Sequence, residues 1–233
     1  MRTWAAVRQD VRFQLRHGFY YAYLLVCTVY VLFLHNVPEW MGSVSAVVLI
    51  SADPGVLGFF FIGGILLLER GQGILENLFV TPVQIREYLL AKVLSLGLLA
   101  VASSLAVTLF SFGAGFAAVP LLTGVVLSSA FFTLLGVTLA VRVKTVNGFL
   151  LTSSLFLTVL FVPMANVFGL WVTPWMKVFP TEAAMTLIGA AFAQKPAWEL
   201  AVATAVLLVW IGIAYAWAHR AFYRHIILKI GGK

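Results

Sequence analysis

The chain has 233 residues, 62% of them hydrophobic and only 10% charged, with a net charge of +7 and a mean hydropathy of +1.03. A soluble domain carries about 25% charged residues, so this composition excludes an ordinary water-soluble enzyme and leaves a chain whose apolar surface meets lipid. The positive charges sit in short groups at the ends of apolar runs rather than in one patch, which argues against nucleic-acid binding.

Residues 2–16 form the first predicted element. At about 100° per residue, Trp4, Val7, Val11 and Leu15 share one arc, and Arg8, Arg12 and Arg16 repeat along its flank. This is a basic amphipathic helix for the membrane interface, with guanidiniums near lipid phosphates. It serves either as an anchor for the first span or as a lever sensing a cytoplasmic partner. The long polar start precedes a full-length apolar run, so no cleavable signal is expected.

Six apolar runs follow, at 19–34, 44–68, 89–112, 121–141, 148–168 and 200–218. One spanning helix needs about 20 apolar residues, so these predict an all-α polytopic fold of six spans in a single domain. With the N-terminus inside, 13 of the 15 Lys and Arg residues fall on the cytoplasmic side, and only Lys177 and Lys195 fall outside. The distribution of positive charge therefore predicts an inner-membrane protein with both termini in the cytoplasm. Cys27, the single cysteine, excludes an intrachain disulfide.

Asp53-Pro54-Gly55 interrupts the second run. Asp53 either lines a translocation path, attracting a cationic or zwitterionic group, or caps a helix starting at Pro54 near the outer surface. The aromatics Phe59, Phe60 and Phe61 suit packing better than a substrate cage, although Phe60 is a candidate path residue. Asn166 and Pro163 near the end of the fifth run could kink or gate it.

The stretch 69–88 is the most informative. Ile74, Leu75, Leu78 and Phe79 make a helical apolar stripe that Pro82 must end. Thr81 with Gln84 three residues on reads as a capping box for a second helix leading into the third span. The result is a helical elbow longer than a bundle turn of about 2–8 residues requires, with carboxylates available to dock a partner.

Between 169 and 199, Trp171, Trp175 and Trp198 alternate with Pro174, Pro180 and Pro196. Helix starts fall at Thr173-Pro174 and Pro180-Thr181. The apolar stretch 181–193 is too short to span and predicts a hairpin dipping into the outer leaflet. The four histidines, His17, His35, His219 and His225, lie at span ends or in the tail, without metal-ligand spacing.

The order Glu69, Gly73, Glu76, Leu78, Thr81-Pro82, Tyr88 and Lys92 resembles the signature region of ABC type-2 exporter permeases. Ile74 departs from the pattern, where the family often has Thr. The layout of interfacial helix (1–17), coupling elbow (69–88), six spans and outer hairpin (169–199) is similar as well. Within that class, the phrase Asp53-Pro-Gly-Val-Leu-Gly-Phe-Phe-Phe-Ile-Gly63 looks similar to drug-export permeases, including fluoroquinolone-export subunits. Haem-exporter permeases are the nearest rival.

The resemblance implies a permease half that pairs with a second half, identical or related, around a path for a small amphiphilic molecule. Two copies of an ATPase subunit would grip it through Arg8, Arg12, Glu69, Gly73, Glu76, Leu78, Thr81 and Pro82. The chain holds no Gly-x-x-x-x-Gly-Lys-Ser/Thr loop, so ATP and Mg are expected on that separate subunit, with no cofactor and no enzymatic activity here. The rival classes are an ion-coupled secondary transporter, for which Asp53 is the available intramembrane ionisable group, and a membrane assembly protein.

Overall fold

The computed structural model describes residues 2–53, 58–80, 83–164 and 173–228. Among them the chain is helical, without strands. The elements are α1 (Arg2–Arg16), α2 (Phe19–Asn36), α3 (Glu39–Ala52), α4 (Phe59–Gly71), α5 (Ile74–Val80), α6 (Ile85–Phe112), α7 (Ala118–Ala140) and α8 (Val146–Leu160). A 3₁₀ turn at Pro174–Val178, α9 (Pro180–Gly189) and α10 (Ala197–Phe222) follow, the last running into a π-helical turn at Tyr223–Ile227.

Among the described residues, four helices are long and apolar enough to cross a membrane: α2, α6, α7 and α10 with its π turn. Within the described residues, the second and fifth apolar runs supply no single helix of that length. The second run supplies α3 and α4, with residues 54–57 between them outside those described. The fifth run is helical for 15 residues in α8, and its last part enters residues outside those described.

Helix α7 is the hub. It is apolar around its whole circumference, as a helix enclosed by others must be, and it packs against α4, α6, α8, α9 and α10. Close approach depends on small residues, which let backbones meet where lipid supplies no hydrophobic drive between helices. Gly124 of α7 faces α9 so closely that a Cβ there would lie 2.8 Å from Ile188 Cγ1 and 3.1 Å from Ile188 N. At the other end of α7, a Cβ on Gly136 would lie 3.0 Å from the Phe59 carbonyl of α4.

Single polar ties hold the element ends. Arg70 donates to the Val143 carbonyl at 3.1 Å, Thr181 to the Leu160 carbonyl at 2.6 Å, and the Trp210 indole to the Val178 carbonyl at 2.8 Å.

The short helix after Pro180 forms, with that proline at its first turn. It ends at Gly189, earlier than the apolar run suggests. Ala183, Ala184, Met185, Leu187 and Ile188 are buried in protein, because α9 inserts between α3, α7 and α10. The tryptophans nearby remain outside: Trp40, Trp175 and Trp198 are exposed at this end of the bundle, as interfacial indoles are.

Candidate coupling site and intramembrane polar cluster

The elbow folds as two helices, but its second start lies further along than Thr81. Val83 and Gln84 are extended or irregular, and α6 begins at Ile85 with Gln84 as N-cap. The capping box is Gln84 with Glu87, whose carboxylate accepts from the Gln84 N–H at 3.0 Å. Gln84 therefore acts as the cap rather than as the third residue of a box headed by Thr81. Thr81 and Pro82 themselves lie outside the described residues. Helix α5 ends at Val80 as expected, and Gly73, at φ +68°, makes the turn from α4 into α5. That left-handed conformation costs glycine little.

Three residues of the motif converge where α4 meets α6. The Lys92 ammonium is 1% exposed and bonds directly to Glu69. Tyr88 donates to the second Glu69 oxygen at 2.6 Å. The next partner is absent from the motif: Asp10 of α1 accepts from Lys92 at 2.6 Å. One turn further, Gln14 donates to Ser95 at 3.0 Å, and Ser95 donates to the Lys92 carbonyl at 3.2 Å.

Helix α1 is thus pinned to α6 by an ion pair and an amide, across a spacing that joins Val7, Asp10 and Gln14 into an inward stripe. Burial raises the Asp10 carboxyl above its ordinary value; the Lys92 charge pulls it back only in part. A lysine inside apolar surroundings is costly alone and is retained where carboxylates surround it.

Sequence-expected residues fall around this core. Arg8 and Arg12 are exposed on α1, Glu69 is buried, and Leu78 packs at the margin of the main apolar cluster. Glu76 lies on α5, with its side chain outside what is described. Between α1 and α5 an open cleft is lined by Gln9, Asp10, Glu69, Ile74, Leu78 and Tyr88. Trp4 and Leu15 are left exposed on the outer side of α1, as an interfacial helix requires, whereas Val7 turns into the protein.

A second polar group lies within the apolar bundle. Asp53, 3% exposed, ends α3 in helical geometry. Its backbone is therefore not in the extended form an N-cap adopts. Ser103 of α6 hydrogen-bonds its Oδ2. Asp53 Oδ1 and the Tyr23 hydroxyl of α2 are buried without a partner among the described residues.

Phe60 packs edge-on to Phe149 with ring centres 6.2 Å apart, and Phe61 packs on Phe19 and Tyr23. The aromatic run is thus part of the core. Asn166 lies outside the described residues.

Residues 1–230 match the model of the fluoroquinolones export permease protein family. Over 229 residues the chain is 25% identical to the fluoroquinolones export permease proteins of two strains of Mycobacterium tuberculosis, covering 97% of this chain and 97% of each relative.

Proposed function

The chain belongs to the fluoroquinolones export permease protein family, and on that basis we propose that it is the membrane-spanning subunit of an ATP-driven exporter of ABC type 2. It would move small amphiphilic or drug-like molecules, fluoroquinolones among them, out of the cytoplasm. ATP and Mg would be held by two copies of a separate ATPase, and a second permease half, identical or related, would complete the path. The cell's inner membrane, with both termini cytoplasmic, is the location that the positive charges favour.

The observation that carries the reading is the buried Asp10–Lys92–Glu69–Tyr88 cluster. It ties α1, α4 and α6 into one unit directly beside the cleft formed with α5. A partner pressing on α1 or α5 from the cytoplasm would move the second and third spans together. Arg8 and Arg12, exposed on the same helix, are available to that partner or to lipid phosphate.

The decisive experiment is purification of the tagged chain from native membranes in mild detergent, with mass spectrometry of stoichiometric partners. A co-purifying ATP-binding subunit is expected. Its absence from a preparation that keeps other membrane complexes intact defeats the proposal.

One observation favours a second reading, an ion-coupled carrier: Asp53 is a carboxylate enclosed within the bundle. Asp53→Asn separates the two. An ATP-driven exporter keeps transport and changes at most its substrate preference, whereas a proton- or sodium-coupled carrier loses transport.

A further inference from the structure

Helices α7, α8 and α10 leave a groove of about 210 Å³ between them. Phe131 and Leu135 of α7, Phe156 of α8, and Trp210, Ile213 and Trp217 of α10 line it, and its remaining lining residues are apolar too. Phe156, Ile213 and Trp217 are exposed, so the groove opens on the outside of the bundle. Phe179 also lines it, beside the Val178 carbonyl that accepts from the Trp210 indole. That bond satisfies the indole N–H and leaves Trp210 to offer the groove its ring.

Towards the C-terminal end of α10 the lining face is continued by arginine. Arg220 and Arg224 come three and seven residues after Trp217, so they extend the same side of the helix, and both are exposed. Arg142, exposed in the turn that closes α7, follows Leu135 by seven residues. These three guanidiniums lie at the end of the bundle that holds the coupling cluster, since Phe222 packs on Tyr88 with ring centres 5.1 Å apart. None of them makes an ion pair among the described residues. The sequence has no Asp or Glu between Glu87 and Glu182 or after Glu199. Helices α7 and α8 therefore carry no carboxylate, and α10 carries one only at its opposite end.

The spacing fits one leaflet. At 1.5 Å per residue, Leu135 and Phe131 lie about 10 and 16 Å along α7 from Arg142, and Trp217 lies about 10 Å along α10 from Arg224. Half of a hydrocarbon core about 30 Å thick is about 15 Å. Arginine at helix ends is explained by orientation in the membrane alone. Orientation does not explain an apolar groove that leads away from the arginines on the same helix faces.

We propose that this groove holds an acyl chain of an anionic phospholipid whose phosphate is bound by Arg220, Arg224 and Arg142. The guanidinium fork matches phosphate oxygens and is more weakly hydrated than an ammonium. An anionic headgroup is preferred to a zwitterionic one, because a headgroup ammonium would face three cations with no carboxylate from α7 or α8 to offset them. The lipid belongs to the leaflet on the α1 side, the cytoplasmic one in the orientation proposed above. Bound there, it bridges α7, α8 and α10.

The test is native mass spectrometry of the purified full-length chain, delipidated and then titrated in detergent with equal amounts of phosphatidylglycerol and phosphatidylcholine of the same acyl chains. Retention of one phosphatidylglycerol per chain, in preference to phosphatidylcholine, is expected. Arg220→Gln and Arg224→Gln each weaken retention by roughly fivefold, whereas Arg16→Gln, an equal loss of charge on α1, leaves it unchanged. Ile213→Trp fills the groove and lowers retention with every arginine in place. Equal retention of the two lipids overturns the site. So does an Arg16→Gln loss equal to those of the Arg220 and Arg224 variants, which is bulk attraction of anionic lipid to a basic chain. If no lipid is retained and Ile213→Trp instead removes a two-chain species, the groove is an interface between copies and the proposal fails. The arginine variants alter exposed side chains and still decide the matter if Ile213→Trp does not insert. Retention in detergent is independent of the export reading, which partner purification tests separately.

Discussion

Among single residues, Lys92 decides the chemistry of the cytoplasmic end. Two carboxylates and a phenol surround it, and it also lies 5.0 Å from the Tyr88 ring centre. Lys92→Met leaves Glu69 and Asp10 facing each other without a cation and is expected to cost about 3–5 kcal/mol. The thermal midpoint in detergent should fall, and adding Glu69→Gln should restore part of it. A midpoint equal to wild type for Lys92→Met would show that the cluster contributes nothing to stability.

Asp10 gives a pH signature. Its carboxyl is raised by burial above the value it has in the unfolded chain, so the folded state binds its proton first as pH falls. The cost of keeping it ionised is present above the raised value and is relieved as pH drops through it towards the unfolded one. Wild type should therefore gain stability relative to Asp10→Asn as pH falls through that raised value, read as the difference between two melting curves at each pH. The sequence motif contained Glu69, Tyr88 and Lys92 but not Asp10, because α1 read alone offers its apolar arc to lipid. Val7 borders both arcs, and only contact with α6 shows that Asp10 and Gln14 share the inward one.

Among the helices, the glycines of α7 set how closely its neighbours approach. Gly124→Leu drives a side chain into Ile188 and Leu187 and should separate α9 from α7, at about 1–3 kcal/mol for overpacking. A Cβ added at Gly212 on α10 would meet nothing within 4 Å, so Gly212→Ala should be neutral or slightly stabilising, since alanine is the better helix former. A detergent melt of both variants checks the contrast; equal midpoints would mean that α7 and α9 adapt freely. The capping box at Gln84 and Glu87 shows a limit of local reading. The sequence offers Thr81 with Gln84 as the cap, whereas α6 is capped by Gln84 with Glu87, nearer the buried Tyr88 and Lys92.

Across the whole molecule, α1 and the α4–α5–α6 elbow form one face, bound together by charge, while α9 and the indoles form the opposite end. Glu76→Arg on α5 should uncouple ATP use from export without lowering membrane abundance, because α5 borders the cleft that faces the proposed partner. Normal export by a normally inserted variant would remove α5 from the coupling path. The buried Asp53–Ser103 pair lies between these two ends, where a change in helix packing would be felt by both.

The membrane class, the N-terminal helix, the helical elbow, the proline-started turns after Thr173 and Phe179, and the family were all legible in the amino-acid order. Each of these is written in local periodicity, in the placement of charge or in short motifs, and needs no distant contact to be read. Two features came from the packing of helices instead: α9 is enclosed by protein, and Asp10 completes the lysine's shell. These depend on which helices are neighbours, and the energy of a buried charge is set by partners 82 and 23 residues away in the chain. Such pairings have no signature in a window of one or two helical turns.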